Sequence, residues 1–193
     1  MKLFYRIISY IFFPGTFALG GFVYLNALQG NFEWALLAWT AFFFALLPVA
    51  AIYTLVRLGY ISDIHIYKRE QRNISYPIAT VGAAMGCAYV YYVQTDERLF
   101  AWSWAATVSL FLLWILNATW IKVSAHMTGV SGFTALQLFL FSRGEENGII
   151  LSISLLLCVL VYLSRKGLSA HSHKELIAGF CLGFLATFAT LSL

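Results

Sequence analysis

The sequence predicts an all-α bundle of six to seven membrane-spanning helices, forming a single domain over residues 1–193, and three observations predict it. Only 10% of the residues are Asp, Glu, Lys or Arg, against roughly 25% in a soluble domain, so there are too few charges to cover a water-facing surface. Apolar side chains make up 61% of the chain and the mean hydropathy is +0.81. Those apolar residues fall into runs near the ~20 residues needed to cross a hydrocarbon core about 30 Å thick.

The first run, 4–28, follows Lys2 and contains Arg6. A positive start is also the mark of a secretory leader, but no small-residue cleavage site stands at the right distance, so the run reads as the first span. The second run covers 34–60, the third 77–93 and the fourth 99–121. The fifth (127–142), sixth (148–163) and seventh (176–193) are short for spans, hence a count of six or seven. Gly129 and Gly132, and the GxxxG pair Gly179 and Gly183, suit close helix contacts. Cys87, Cys158 and Cys181 lie inside apolar runs without C-x-x-C spacing and read as small packing residues. Most of the six tryptophans fall near predicted helix ends, where indoles favour the membrane interface.

The polar connections alternate between two faces. The N-terminus, 62–76, 122–126 and 164–175 share one; 29–33, 94–98 and 143–147 share the other. Ten basic residues fall on the first face and two, Arg98 and Arg143, on the second. Because cytoplasmic loops retain Lys and Arg, the first face is expected in the cytoplasm, with the chain in a bacterial inner membrane. Setting aside Lys68, Arg69, Arg72, Lys122 and Arg165 as ligand-binding candidates leaves five against two and the same orientation.

All four histidines, His65, His126, His171 and His173, lie on this basic face. In 164–175, a last helix beginning at Ser169 or Ala170 would put His171 and Glu175 one turn apart on one face. A carboxylate there accepts Nδ1–H and leaves Nε2 with a lone pair, as a nucleophile or base requires. Arg165 offers a planar fork to phosphate, and a helix N-terminus favours the same anion. The plainer account of these residues is a solvated interface with snorkelling cations. In KVSAHMTG, Ser124 is either a donor to an anion or a helix cap, and His126 is an acid or base near neutral pH or an interfacial histidine. In the loop before the third helix, Lys68, Arg69 and Arg72 are either an anion-binding group or, more plainly, cytoplasmic topology determinants or a lipid-headgroup patch.

Together the three segments resemble the type 2 phosphatidic acid phosphatase superfamily, the histidine-nucleophile lipid phosphatases, whose pattern is K-x6-R-P, then P-S-G-H, then S-R-x5-H-x3-D. Here the third motif reads Ser164-Arg165, five residues, His171, three residues, Glu175, with Glu for Asp. The second reads Val123-Ser124-Ala125-His126, keeping Ser and His but not Pro and Gly. The first keeps Arg69 and Pro77 around six residues and has Tyr76 in place of the second Arg. The resemblance implies that His171 attacks phosphorus, that Glu175 orients it, and that His126 protonates the leaving oxygen. Arg165, Arg69 and the Ser124 hydroxyl would hold the phosphoryl oxygens, with Arg72 or Lys68 standing in for the missing cation. It also implies no metal and no cofactor, a lipid phosphate or isoprenoid pyrophosphate as substrate, and membrane lipids as surroundings.

The alternative is an inactive relative whose basic face grips anionic lipids. A magnesium-dependent prenyl transferase is excluded because it needs paired Asp-rich motifs, and the only aspartates, Asp63 and Asp96, fall on opposite faces. Transport is disfavoured because the interiors of the runs hold almost no ionisable residues. The net charge of +4 follows from topology and an anionic substrate, so no nucleic-acid partner is expected.

Overall fold

The computed structural model describes all residues except 31, 65, 67, 94, 95 and 147. Among the described residues every regular element is helical: α1 Lys2–Ile11, α2 Pro14–Leu28, α3 Trp34–Ala41, a π-helical turn Phe42–Leu46, α4 Leu47–Arg57, α5 Arg69–Val93, α6 Glu97–Thr119, α7 Ala125–Ser142, α8 Ile149–Gly167 and α9 His173–Ser192. Among the described residues four stretches are long and apolar enough to cross a membrane: Trp34–Arg57, Glu97–Thr119, Ile149–Gly167 and His173–Ser192. The pair α1 and α2, bent by 45°, makes a fifth if it counts as one span. The chain is therefore a helical membrane protein.

The first apolar run is thus two helices. Pro14 opens α2 at a position where its missing N–H costs nothing, and the bend frees α1 to lie against α8. The π turn in the second run precedes Pro48, whose ring would meet the carbonyl of Phe44 in a regular helix. One wider turn relieves that clash, and Phe43, Phe44 and Leu47 then pack against Gly82 and Gly86 of α5. Helix α5 starts eight residues before the expected position 77 and carries Pro77 inside it. Its first turns bury Arg72 and Ser75, three residues apart on one face, so this segment is an amphipathic helical extension.

At the centre stands α7, packed against α2, α8 and α9. Its seam with α9 is built on missing side chains. A Cβ at Gly179 would come within 2.6 Å of the Ser124 carbonyl oxygen, and one at Gly183 would collide with the Thr128 carbonyl oxygen and the Ser131 hydroxyl. The GxxxG pair therefore does what its spacing predicts. Trp102, by contrast, leaves the interfacial belt: it is buried, covers Gly21, and donates from Nε1 to the Ala18 carbonyl at 3.0 Å.

The two ends of the bundle differ in charge. At one, Asp96 caps α6 by accepting from the Arg98 backbone N–H at 2.8 Å, and the Arg98 guanidinium pairs with both Asp96 and Glu145. Arg143 lies over the Phe139 ring, 4.6 Å from its centroid. The cations of that end are thus held by local partners. The other end gathers the starts of α5, α7 and α9, the ends of α6 and α8, and α1.

Candidate functional site

The connection from α8 to α9 sets the geometry. After Gly167 the backbone passes through Ser169 in the left-handed region, φ 53°, and the Ala170 N–H returns to the Arg165 carbonyl at 3.1 Å. The chain reverses within five residues and brings His171 to the same pocket as Arg165. Helix α9 begins at His173, capped by Ser172, not at Ser169 or Ala170. His171 therefore precedes the helix, yet its partner is the expected one. In a reciprocal cap, the Glu175 N–H donates to Ser172 Oγ while Glu175 Oε2 accepts from the Ser172 N–H at 3.1 Å. The same Oε2 accepts from His171 Nδ1 at 3.0 Å. These amides of the helix N-terminus are spent on its own cap.

With Nδ1–H facing a carboxylate, His171 is left with its lone pair on Nε2. Its side chain is buried, and that burial, followed by the charges of Arg72, Arg165, Lys122 and His126, holds its pKa far below the usual imidazole value. The imidazole is neutral at working pH. Lys122 is also pushed down, first by burial and then by Arg72, with Glu175 pulling the other way; its Nζ donates to the Ala170 carbonyl at 3.0 Å.

Arg165 is 2% exposed, and its guanidinium donates to Ser9 Oγ at 2.5 Å. His126 reaches the same residue, with Nε2 at 3.1 Å from the Ser9 carbonyl oxygen and 3.3 Å from Ser9 Oγ. A carbonyl only accepts, so His126 carries a proton on Nε2. Helix α1 is clamped in place by its inward face. The Ser164 hydroxyl donates to the Tyr5 carbonyl at 2.7 Å, and the Tyr5 ring lies on Gly167, which has no room for a Cβ.

The two arginines of α5 divide their tasks. Arg72 is buried; Nε donates to the Ile66 carbonyl at 3.1 Å, and one terminal nitrogen donates to Asn117 Oδ1 at 3.2 Å and the Val123 carbonyl at 2.9 Å. Arg69 donates to the Asn117 carbonyl at 2.5 Å, closing the end of α6. Lys68 is exposed. Ser124 caps α7, accepting from the Met127 N–H at 3.4 Å, and its N–H donates to the Glu175 carbonyl at 3.2 Å.

A cavity of about 390 Å³ opens between these elements, with Ser9, Arg72, His126, Arg165 and His171 at its polar end and Phe13, Pro14, Val49, Ile52 and Tyr76 as apolar wall. Phe13, Pro14, Val49, Ile52 and Tyr76 also line a second, largely apolar cavity of about 160 Å³ that runs between α2, α4, α5, α6 and α7. Of the residues expected at the site, His171, His126, Arg165 and Arg72 line the first cavity, and Glu175 reaches it through His171. Arg69, Lys68 and Ser124 do not line it. His173 pairs with the Tyr162 hydroxyl at an exposed position, and His65 lies outside the described residues.

Sequence reasoning missed Ser9. The signal was Pro14, which ends α1 early and allows residues 5 and 9 to share an inward face while Leu3, Phe4, Ile7 and Ile11 point outward. Among the described residues no group of three or more His, Cys, Asp or Glu is arranged to hold a metal ion. No family model matches the chain, and neither a curated protein nor a solved structure matches it.

Proposed function

We propose that the chain is a membrane-embedded phosphatase of lipid phosphates or isoprenoid pyrophosphates, with α5 and α7 completing a bundle of six or seven spans like that of the type 2 phosphatidic acid phosphatases. The observation that carries the reading is His171: a neutral imidazole with Nδ1 held by Glu175, buried beside Arg72, Arg165 and Lys122. Gathered cations around a neutral nucleophile repel one another in a medium where charge is poorly screened, and a phosphoryl group relieves that repulsion. The apolar wall adjoining the charges suits a substrate with an anionic head and an apolar tail.

In this reading His171 Nε2 attacks phosphorus, forming an N–P bond as the P–O bond to the lipid alcohol breaks. His126, acting as the doubly protonated imidazolium, gives its Nε2 proton to the leaving oxygen and becomes a neutral imidazole, which requires it to leave the Ser9 carbonyl. A water then transfers a proton back to His126 and its oxygen attacks phosphorus, releasing inorganic phosphate and restoring His171. Arg165 and Arg72 neutralise the equatorial oxygens, the main demand of phosphoryl transfer. The excess of basic residues on the side of the site supports a cytoplasmic face, with the substrate drawn from the inner leaflet of a bacterial membrane.

A second reading is an inactive relative that holds anionic headgroups. It is favoured by the guanidinium of Arg72 being committed to three protein acceptors and by His126 being committed to Ser9. Phosphate release from a panel of lipid phosphates by purified protein in detergent separates the two. Release by wild type that disappears in His171→Ala supports the phosphatase; release on no lipid, or release indifferent to His171, removes it.

A further inference from the structure

We propose that Ser9 of the N-terminal helix is a phosphate-binding residue, supplying from outside the three motif segments the hydroxyl that the resemblance assigns to Ser124. The inference rests on the phosphoryl-binding part of the function proposed above. Three observations carry it. Ser124 is fully buried beneath the start of α7, which it caps, and it does not line the cavity. Ser9 does line it, although 117 and 156 positions separate it from His126 and Arg165. Its oxygen also lies where those two residues converge: Arg165 donates to Oγ at 2.5 Å and His126 Nε2 stands 3.3 Å away.

A hydroxyl has two acceptor sites and one proton. With Arg165 donating to Oγ, the O–H of Ser9 remains a donor, polarised by the guanidinium and set at the polar end of the cavity. Donors aimed at a phosphoryl oxygen bind it more strongly when charge is held nearby in a dry site. Ser9 also ties the leaving-group acid to the phosphate ligand, since the carbonyl of the same residue holds the His126 proton. Anion binding and the orientation of His126 therefore meet in one residue.

The test uses the full chain in detergent as wild type, Ser9→Ala and Ser9→Thr. Two quantities are read: kcat and KM for phosphate release from a lipid phosphate, and the calorimetric affinity for inorganic phosphate. Removing one hydrogen bond to a charged group should weaken phosphate binding about ten- to a hundredfold in Ser9→Ala and lower kcat/KM similarly. Ser9→Thr, which keeps the hydroxyl, should stay within about threefold of wild type by the same measure. Unchanged phosphate affinity in Ser9→Ala overturns the proposal, and so does a Thr variant as impaired as the Ala variant, which would make the role one of packing. If Ser9→Ala matches wild type in affinity and turnover while His171→Ala is dead, Ser9 falls and the phosphatase stands. If wild type releases no phosphate but binds it, and Ser9→Ala binds it more weakly, the phosphatase falls and Ser9 stands.

Discussion

Glu175 Oε2 receives two donors at once, the Nδ1 of His171 at 3.0 Å and the backbone N–H of Ser172 at 3.1 Å. One carboxylate oxygen therefore starts helix α9 and orients the candidate nucleophile. Replacing Glu175 by Ala should cost both: about 1 kcal/mol of stability for the lost cap, and about a hundredfold in kcat/KM for the freed imidazole. Gln, which can still accept from either donor through its carbonyl oxygen, should recover most of the stability and less of the turnover. Thermal unfolding and phosphate release on the two variants check this, and equal losses of turnover and stability in both would contradict it.

Acid should destabilise the protein through His171. Its folded-state pKa lies below the ordinary value, so below about pH 6.5 the unfolded chain binds a proton that the folded chain refuses. The stability from the neutral imidazole is complete above that pH and declines as pH falls, by up to about 1.4 kcal/mol for each pH unit. Melting curves from pH 7.5 to pH 5 should show this slope in wild type and a shallower one in His171→Asn.

Arg72 ties together Ile66, α6 and the approach to α7 by donating to the Ile66 carbonyl, the Asn117 side chain and the Val123 carbonyl. Arg72→Ala leaves three buried acceptors without their donor and should cost about 2–4 kcal/mol. Arg72→Lys keeps the charge but not the fork, so it should retain more phosphate affinity than stability. Wild-type turnover in Arg72→Ala would remove this arginine from the proposed phosphate site.

The α7–α9 seam offers a control on architecture. Gly183→Ala drives a methyl into the Thr128 carbonyl, away from the cavity, and should lower stability by about 1–3 kcal/mol. Gly179→Ala meets the Ser124 carbonyl instead and should disturb the corner that carries His126. The first is therefore expected to lower the melting temperature more than the turnover of the folded fraction, and the second to lower both.

How much of this was written in the sequence depends on distance along the chain. The apolar runs, the glycine seam and the His171–Glu175 pair were legible because helical periodicity or short spacing encodes them. The α9 start was misplaced by three or four residues, since the cap at Ser172 competes with a start at Ser169, and only the fold shows which prevails. The early start of α5 was hidden because a polar amphipathic turn on an apolar span reads as a loop. The π turn has no local signature beyond Pro48. Ser9 was invisible because its meaning comes from Arg165, 156 positions away, and no periodicity reaches that far.

That separation bears on how the protein is made. Helix α1 is synthesised before α8, and the partner of its inward hydroxyl follows 156 positions later. Until α8 has entered the bilayer and turned at Ser169, Ser9 has neither Arg165 to receive from nor a finished cavity to face. Contacts of such long range are the slow ones to form. A nascent or truncated chain ending before the α8–α9 turn thus carries the earlier helices without Arg165 and His171 in the cavity. The closure of α1 onto the α8–α9 hairpin makes synthesis of that hairpin the step that brings the cavity's polar groups together.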